Sequence, residues 1–413
     1  MTNWLTNMSV RERKTFLACF TGWALDAMDV QIYAVVMPTL IVLWTLSKGQ
    51  AGMLATSALL VSSVGGWIAG ILADRIGRVR VLRLTIVWFA AFTFLSGLTH
   101  SYGQLLITRS LQGLGFGGEW AAGAALMSEV IDKQIRGRVV GTVQSGWSVG
   151  YGVAVLLYAL VFSVAAPALA WRILFFLGLA PALIVLWICR KVEEPELFRK
   201  MQTEQAARKR SSHFLEIFRP SLLGTTLVAS LLAAGALGGN YTILTWLPTF
   251  LKTVRKLSVL NTGGYLAVNI FGSFLGYVLS AHLSDWIGRR RTFVITALSA
   301  AVTVAIYTLL PLSATAVLLL GFPLGFFQSG IIAGMGATFA ELFPTSVRAT
   351  GQGFTYNAGR GVGSAMPALV GYIGEGAKLG QAIGACAICS YFLVVVATAL
   401  LPETRGKELE TNG

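Results

Sequence analysis

The sequence predicts an all-α membrane protein with twelve transmembrane helices in two six-helix halves. Three observations predict this fold: a composition too apolar for a water-soluble chain, apolar runs of about 20 residues, and an internal repeat. Hydrophobic residues make up 55% of the 413 residues and charged residues only 12%, whereas soluble domains carry about 25% charged residues. Helices are favoured over a barrel because long apolar helices satisfy their own backbone hydrogen bonds and no alternating strand pattern dominates.

Apolar runs separated by short polar segments give twelve candidate spans. They are 15–38, 50–74, 80–99, 103–129, 139–164, 170–190, 220–250, 262–286, 292–312, 315–341, 349–374 and 380–401. One long polar connection, 191–219, divides them six and six. The sequence therefore predicts an N-terminal half at 1–190, a linker at 191–219, and a C-terminal half at 220–413 that ends in a short tail.

Lys and Arg lie mainly in the connections on one side of the predicted bundle. Basic clusters at 11–14, 75–83, 133–138, 190–219 and 289–291 alternate with connections that carry few basic residues. Because cytoplasmic loops are enriched in Lys and Arg, we expect both termini and the linker to be cytoplasmic. The net charge of +14 then reflects topology and contact with anionic lipids, and we expect no nucleic-acid partner.

An internal repeat relates the two halves. Asp74 in "GILADRIGRVR" corresponds to Asp285 in "SAHLSDWIGRRR", 211 residues later, and Glu129 corresponds to Glu341, 212 residues later. Six spans return the chain to the side on which it started, so the halves have the same orientation. Parallel repeats around an axis normal to the membrane are typical of transporters that bind substrate between their halves.

The same motifs resemble those of a known transporter family. The stretch G-x-x-x-D-R-x-G-R-x-R at 70–80 resembles the signature loop of the major facilitator superfamily, and 285–291 resembles its second copy. "RSLQGLGFGGEW" at 109–120 is similar to the motif of its fourth helix, and "PETRGKELE" at 402–410 to the tail of its sugar and metabolite porters. The resemblance covers nearly the whole chain and implies the major facilitator fold and secondary transport by rocking of the two halves.

Repeated charges at the cytoplasmic helix ends are interpreted as the latch of an inner gate. A carboxylate at such a position can meet the N-terminus of a neighbouring helix, and the arginines can pair with the repeated glutamates. The predicted gate residues are Asp74, Arg78, Glu129, Arg136, Asp285, Arg289, Glu341 and Arg348.

Four charged residues inside the predicted spans have no charged counterpart in the other half: Asp26, Asp29, Arg109 and Arg360. Scaffold residues would be expected to repeat, so the asymmetry assigns these four to one site between the halves. At about 1.5 Å per residue, Asp26 and Arg360 lie roughly 16 Å from the cytoplasmic edge, and Asp29 and Arg109 lie level with each other further out. An ionised Asp at a helix centre costs about 2.5–3.5 kcal/mol in a membrane, which makes a functional role the default explanation.

The four charges fit an organic anion that moves together with protons. Arg grips a carboxylate through two parallel hydrogen bonds, and a buried Asp beside an Arg can load and release a proton. The predicted proton-coupling residues are Asp26, Asp29 and Glu119, and the predicted substrate-binding residues are Arg109, Arg360, Asn357, Gln144, Tyr356 and Gln328. Two alternatives stay open: a permanent structural ion pair of Asp29 with Arg109, and contact of Glu119 with the loop arginines instead of a proton relay.

The segments "GWALDAMDVQIYAVVMP" at 22–38 and "YNAGR" at 356–360, together with the fourth-helix motif, resemble the sialate:proton and aromatic-acid:proton symporter branches of the family. This resemblance implies import of a lactate- or pyruvate-like, sialic or aromatic acid by a monomer in the bacterial inner membrane. A sugar:proton symporter and a proton-driven efflux antiporter are the alternatives.

The sequence carries no pattern that favours an enzyme or a metal protein. It has no nucleophile with an adjacent base, no phosphate-binding loop and no metal-ligand spacing. Cys386 and Cys389 form a C-x-x-C inside an apolar run without further ligands, and we interpret them as packing residues. We therefore expect no cofactor, no metal ion and no catalytic activity.

Overall fold

The computed structural model describes residues 8–130, 136–190, 213–344, 347–376 and 378–404. A few helical side chains within these ranges, among them those of Asp74, Glu119, Glu129 and Arg136, lie outside the description. The gate and relay roles predicted for these four residues therefore remain predictions.

The described residues form helices and no strand. In the first half the helices are α1 (Val10–Leu43), α2 (Lys48–Ile76), α3 (Arg78–Gly97), α4 (Tyr102–Val130), α5 (Arg136–Val164), α6 (Pro167–Leu177) and α7 (Leu179–Cys189). A short 3₁₀ turn at His213–Phe218 precedes the second half, which contains α8 (Pro220–Thr249) with a π-helical extension (Phe250–Val254), α9 (Val259–Ile287), α10 (Arg289–Leu309), α11 (Ala314–Leu342), α12 (Arg348–Gly363), α13 (Met366–Gly376) and α14 (Leu379–Leu400).

These helices make the twelve predicted crossings. Within the described residues, nine helical segments are long and apolar enough to span a membrane by themselves. The remaining three crossings are α4, the pair α6 and α7, and the pair α12 and α13. Large apolar side chains such as Leu60, Ile71, Leu156, Phe271 and Phe392 are exposed around the outside of the bundle, as expected for a surface that faces lipid.

Two of the predicted spans are broken helices rather than continuous ones. The sixth crossing is interrupted at Gly178 and the eleventh after Gly363. In each case a proline, Pro181 or Pro367, lies in the first turn of the second piece. A proline has no backbone N–H, and its ring clashes with the carbonyl group four residues earlier. Here that group belongs to Leu177 or to Gly363, the last residue of the first piece in each crossing.

Helices α1 and α8 occupy the centre of the bundle. Almost every residue from Gly22 to Leu40 in α1 and from Leu232 to Thr249 in α8 is buried, and a helix that is apolar and buried all round belongs in the interior. Helix α1 also starts five residues before the predicted span, because Ser9 and Glu12 form a capping box with hydrogen bonds of 3.2 and 2.8 Å.

The internal repeat is visible in the backbone. Gly77 joins α2 to α3 with a φ of 111°, and Gly288 joins α9 to α10 with a φ of 100°. The two glycines occupy corresponding positions of the repeat, and glycine adopts positive φ without the strain that a Cβ would add. A glycine at this position of both loops therefore has a conformational reason.

The two halves are closed against each other at the end of the bundle opposite the chain termini. Lys48 Nζ at the start of α2 donates a hydrogen bond of 2.6 Å to the Gly374 carbonyl oxygen in α13. Glu375 Oε1 accepts a hydrogen bond of 2.8 Å from the backbone N–H of Gly49. These two bonds connect the start of α2 with the end of α13.

Helix α2 continues along the second half toward the terminus side. The backbone N–H of Ala368 donates a hydrogen bond of 3.1 Å to Thr56 Oγ1. Further along, the rings of Trp67 and Phe354 stack with centroids 5.9 Å apart and an interplanar angle of 2°. The site described next lies between the halves, beside this contact.

Candidate functional site

A small cavity lies where α1, α2, α4 and α5 of the first half meet α8 of the second. It is lined by Val30, Gln31, Tyr33, Ala34, Ala55, Ala58, Leu59, Arg109, Gln112, Gly113, Phe116, Trp147, Tyr241, Leu244 and Thr245. The volume accessible to water in this cavity is ≈ 20 Å³, which is room for about one water molecule. The cavity that the described residues leave here is therefore too small for an organic acid.

Arg109 forms one wall of this cavity. Its side chain is only 2% exposed, and its guanidinium lies 4.8 Å from the centroid of the Tyr33 ring. Arg109 Nη1 donates a hydrogen bond of 2.6 Å to Gln112 Oε1, one helical turn further along α4. The guanidinium of Arg109 is thus hydrogen-bonded to a neutral amide and lies over an aromatic face.

Asp29 is connected to Arg109 through a short relay. Gln112 Nε2 donates to Thr93 Oγ1 at 2.6 Å, and the Thr93 hydroxyl lies 2.9 Å from Asp29 Oδ2, to which it can donate. Asp29 is fully buried and interacts electrostatically with Arg109. The sequence prediction placed Asp29 and Arg109 at one level, and the structure brings them together with Gln112 and Thr93 between them.

The Thr93 hydroxyl can donate its hydrogen bond to either of two acceptors. Its oxygen lies 2.9 Å from Asp29 Oδ2 and 3.0 Å from the Phe89 carbonyl oxygen, but a hydroxyl has only one proton to donate. When Asp29 is ionised, donation to the carboxylate is favoured. When Asp29 carries a proton, the hydroxyl can turn to Phe89, so the relay responds to the protonation of Asp29.

Arg360 lies at the boundary between the halves. It is 1% exposed, and its guanidinium carbon lies 4.9 Å from the centroid of the Phe116 ring in α4 and 5.0 Å from that of Tyr356. It also interacts with Tyr241 and with Asp26. Within the described part of the chain, Arg360 Nε and Nη1 are buried and have no hydrogen-bond partner.

Two buried amides near the centre also lack hydrogen bonds within the described ranges. Both amide atoms of Gln31 and both of Gln328 are in this state, and the two side chains are 1% and 0% exposed. Leaving a buried polar group unsatisfied costs about 1–3 kcal/mol. Such groups in a folded protein call for a ligand or an ordered water as partner.

The other residues that were predicted to bind substrate differ in their surroundings. Tyr356 stacks on Arg360, as described above. Asn357 donates from Nδ2 to the Gly353 carbonyl oxygen at 2.9 Å, and its side-chain oxygen lies against Gly66 of the other half. Gln144 is half-buried in α5. The binding roles of Asn357, Gln144 and Gln328 stay predictions.

The predicted gate residues of the second half form a charged cluster at the terminus side. Arg289 donates to Glu341 through Nη2 at 2.8 Å and through Nε at 3.2 Å. Arg289 Nη1 lies 2.5 Å from Asp285 Oδ1. This cluster joins the ends of α9, α10 and α11. Arg348, also in the second half, is half-buried at the start of α12. In the first half, Arg78 is buried and its Nη1 donates to the Ala73 carbonyl oxygen at 2.9 Å.

The chain tail completes this cluster. Glu403 accepts hydrogen bonds from the backbone N–H groups of Arg289 and Arg290 at 2.9 and 3.1 Å, at the N-terminus of α10. Thr404 Oγ1 donates to Glu341 Oε2 at 2.6 Å. The sequence assigned the helix-capping role to the aspartates of the repeat, whereas at α10 a glutamate of the "PETRG" tail caps the helix, because a carboxylate is stabilised at a helix N-terminus.

Removing the central cation of this cluster should lower the stability of the fold. We expect Arg289→Ala to reduce the free energy of unfolding by about 2 kcal/mol, because the mostly buried carboxylate of Glu341 loses its ionic partner. The control is Arg290→Ala, since Arg290 is more exposed and donates to a single carbonyl oxygen, that of Ala399, at 3.0 Å. Thermal unfolding in detergent measures both variants, and equal midpoints would contradict the prediction.

Sequence reasoning missed Thr93, Gln112, Gln31 and Phe116. Gln112 and Phe116 lie inside "RSLQGLGFGG", and Gln31 lies two residues after Asp29, so a helical projection of these stretches was the available signal. Thr93 lies in an ordinary apolar stretch of α3, and nothing in its sequence context indicates a role. Only the packing of α3 against α1 and α4 places it beside Asp29.

Among the described residues, no group of three His, Cys, Asp or Glu side chains could hold a metal ion. Within the described part of the chain, the charged groups at the centre are two arginines and two aspartates. The arrangement is suited to binding an anion and to exchanging a proton with it.

Comparison with known proteins identifies the family. The model of the Major Facilitator Superfamily matches residues 19–368 and 270–412. The chain is 42% identical to a probable 4-methylmuconolactone transporter of Cupriavidus pinatubonensis, over 99% of this chain and 95% of that protein. It is 30% identical to a cis,cis-muconate transport protein of Acinetobacter baylyi, over 93% of each.

The fold is also similar to that of solved structures. The proton:xylose symporter XylE, bound to 6-bromo-6-deoxy-D-glucose, superposes with a TM-score of 0.76 at 19% identity, over 97% of this chain and 98% of that one. The resemblance read from the repeated loop motifs is thereby confirmed, together with the twelve-helix fold. The chain is an integral membrane transporter and belongs to the major facilitator superfamily.

Proposed function

We propose that this transporter imports a small organic carboxylate together with a proton by alternating access of its two halves. The observation that carries the proposal is Arg360, a fully buried guanidinium at the boundary of the halves whose Nε and Nη1 have no hydrogen-bond partner within the described residues. A guanidinium offers two pairs of parallel N–H groups, Nε with Nη2 and Nη1 with Nη2, and each pair matches the two oxygens of a carboxylate and contains one of these unpartnered nitrogens. Arg360 is therefore the proposed anchor for the substrate carboxylate, and Tyr356 and Phe116 hold its plane in place.

The relatives support the substrate class. Their names give 4-methylmuconolactone and cis,cis-muconate as transported compounds, and both are small carboxylic acids. We propose a substrate of this size and charge, within the broader set of lactate-like, sialic and aromatic acids predicted from the sequence. The cavity walls supply a second cation, Arg109, and the aromatic rings of Phe116, Trp147 and Tyr241.

The proposed proton site is Asp29, with Asp26 as the second acidic group. A substrate anion carried across hydrocarbon alone would bring an uncompensated charge, whereas a monoanion with one proton, or a dianion such as cis,cis-muconate with two protons, brings none. Asp29 communicates with the cavity through Thr93, Gln112 and Arg109. Proton loading at Asp29 and anion binding at the guanidinium are therefore parts of one hydrogen-bonded system.

Alternating access requires the halves to part at each end in turn. We propose the halves 1–190 and 220–413 as the moving bodies, with 191–219 as their linker. The bonds of Lys48 with Gly374 and of Gly49 with Glu375 open when the site faces outward. The cluster around Arg289 belongs to the proposed inner gate. From the distribution of Lys and Arg, we place both termini in the cytoplasm of a bacterial cell and the protein, as a monomer, in the inner membrane.

Uptake of labelled cis,cis-muconate into right-side-out and inverted membrane vesicles tests the proposal. Import with protons predicts accumulation in right-side-out vesicles that an inward proton gradient drives and a protonophore abolishes. Accumulation only in inverted vesicles would identify an efflux antiporter instead. Accumulation of labelled xylose without any carboxylate would identify a sugar:proton symporter.

The relay between Asp29 and Arg109 gives a specific prediction. We expect Thr93→Val to lower the initial rate of proton-driven uptake by about tenfold, because the loss of one buried hydrogen-bonding partner costs about 1–1.5 kcal/mol. Thr93→Ser is the matched control, since it keeps the hydroxyl and should retain most of the rate. A Thr93→Val protein as fast as the Thr93→Ser protein would remove the relay from the mechanism.

A further inference from the structure

Gln31 is a buried amide on the cavity wall to which neither the sequence nor the family comparison assigns a role. It lies in α1, two residues after Asp29, and is 1% exposed. Its side chain lines the cavity together with Arg109, Gln112 and Tyr241. Both its Nε2 and its Oε1 are without a hydrogen-bond partner among the described residues.

Two neighbouring side chains of the cavity wall, Gln112 and Tyr33, are already engaged, whereas Arg109 Nε and Trp147 Nε1 have no hydrogen-bond partner among the described residues. Gln112 uses its Oε1 for Arg109 and its Nε2 for Thr93. The Tyr33 hydroxyl donates a hydrogen bond of 2.6 Å to the Ala51 carbonyl oxygen. Gln31 thus differs from these two wall residues, because its donor and its acceptor both remain available to whatever enters the cavity.

We propose that Gln31 is a specificity-determining residue that donates a hydrogen bond from Nε2 to a second acceptor oxygen of the substrate, remote from the carboxylate. This inference rests on the proposed function. Its substrate class is a carboxylate that also carries a carbonyl or a second carboxyl oxygen. A substrate without that oxygen leaves the amide unpaired inside a dry site, and a site built to pair with a polar group rejects analogues that lack it.

A bound water is the competing explanation for Gln31. The cavity has room for about one water, which could satisfy the amide in the closed state. A ligand group that reproduces the hydrogen bonds of such a water can replace it, whereas a group that cannot reproduce them loses affinity. The two explanations differ in whether the amide discriminates between ligands.

The test uses two carboxylates of the same ring size. One is (5-oxotetrahydrofuran-2-yl)acetate, which carries a lactone carbonyl, and the other is cyclopentylacetate, which carries none. Each competes with labelled cis,cis-muconate for uptake by the full-length protein in liposomes. We expect the wild-type protein to prefer the lactone by about tenfold, the fold-change that corresponds to one hydrogen bond in a buried site.

Gln31→Met keeps the side-chain length and removes both polar atoms. We expect it to bring the preference for the lactone to within about twofold, by weakening the lactone and leaving cyclopentylacetate unchanged. Gln31→Asn, which retracts the amide by one methylene, should also reduce the preference and serves if the Met variant does not fold. Asn269→Leu is the control: Asn269 is a buried amide whose Nδ2 donates to Gly321 in the α9–α11 contact, and its removal should leave the preference intact.

Each outcome decides one point. A wild-type preference near one, or a Gln31→Met protein that keeps the wild-type preference, overturns the role of Gln31 and favours the water. If both ring acids compete equally well, the proposed carboxylate transport stands and only the role of Gln31 is lost. If no carboxylate is taken up or competes, the proposed function itself fails.

Discussion

Asp29→Asn is expected to abolish accumulation of substrate driven by a proton gradient while leaving exchange of substrate across the membrane in place. Asn has the shape of Asp but cannot take up or release a proton in this range. For one proton moving with one monoanion, the wild-type protein can accumulate substrate by about tenfold per pH unit, and the variant should reach a ratio of about one. The hydrogen bond from Thr93 can still form with the amide oxygen, so the architecture of the site is retained.

Liposomes with an imposed pH gradient measure this directly, and preloaded liposomes measure exchange. Asp26→Asn is measured alongside, because Asp26 interacts with Arg360 rather than through the Thr93 relay. The comparison shows which aspartate carries the proton. Glu216→Gln, at a surface contact with Arg219, is the control for loss of a carboxylate elsewhere. Full proton-driven accumulation in both aspartate variants would exclude the proton role of this pair.

Arg360→Lys should raise the apparent KM for a carboxylate by about 10- to 100-fold, or about 1.4–2.8 kcal/mol. Lys keeps the positive charge but cannot offer the two parallel N–H groups that a carboxylate accepts. An ammonium also loses the flat contact with the rings of Phe116 and Tyr356 that orients the guanidinium. The substitution therefore tests whether binding depends on the planar shape of the guanidinium in addition to its positive charge.

The matched control is Arg172→Lys. Arg172 is likewise stacked on a ring, that of Trp171 at 4.4 Å, and donates to the Gly97 carbonyl oxygen at 2.6 Å, but it lies away from the cavity. Its replacement should leave the KM within about twofold of the wild-type value. An unchanged KM in Arg360→Lys would remove Arg360 from the substrate site.

The fold was largely predictable because its signals are local. Apolar runs of membrane length, basic connections and the repeat at 74–80 and 285–291 specify the number of crossings and the relation of the halves. The breaks at Gly178 and after Gly363 were not predicted, since mean hydropathy is the same for a broken and a continuous helix. Pro181 and Pro367 carried that information, but a proline inside an apolar run also occurs in unbroken helices such as α1, which contains Pro38.

The site was predictable only where charge marks it. A buried ionised residue is costly in a membrane, so Asp26, Asp29, Arg109 and Arg360 were recognisable without a structure. Neutral polar residues such as Thr93 carry no such cost signal and occur throughout apolar helices.

Contacts between the two halves also could not be predicted from the sequence. Asn357 and Arg360 were both predicted to bind substrate, and their spacing of three residues places them on one helix face. In the structure the Asn357 side-chain oxygen packs against Gly66, whereas the Arg360 guanidinium lies over Phe116. Which residue of the other half faces which position depends on the packing of distant helices, and a single sequence does not contain that relation.

Proton movement during substrate uptake tests the central claim most directly. Liposomes that contain the purified protein and an internal pH dye start without a pH gradient, and cis,cis-muconate is then added outside. Coupled import of carboxylate and proton predicts acidification of the interior that follows substrate uptake, is absent from protein-free liposomes and is lost in Asp29→Asn. Uptake with no change of internal pH, or with alkalinisation, would contradict the account.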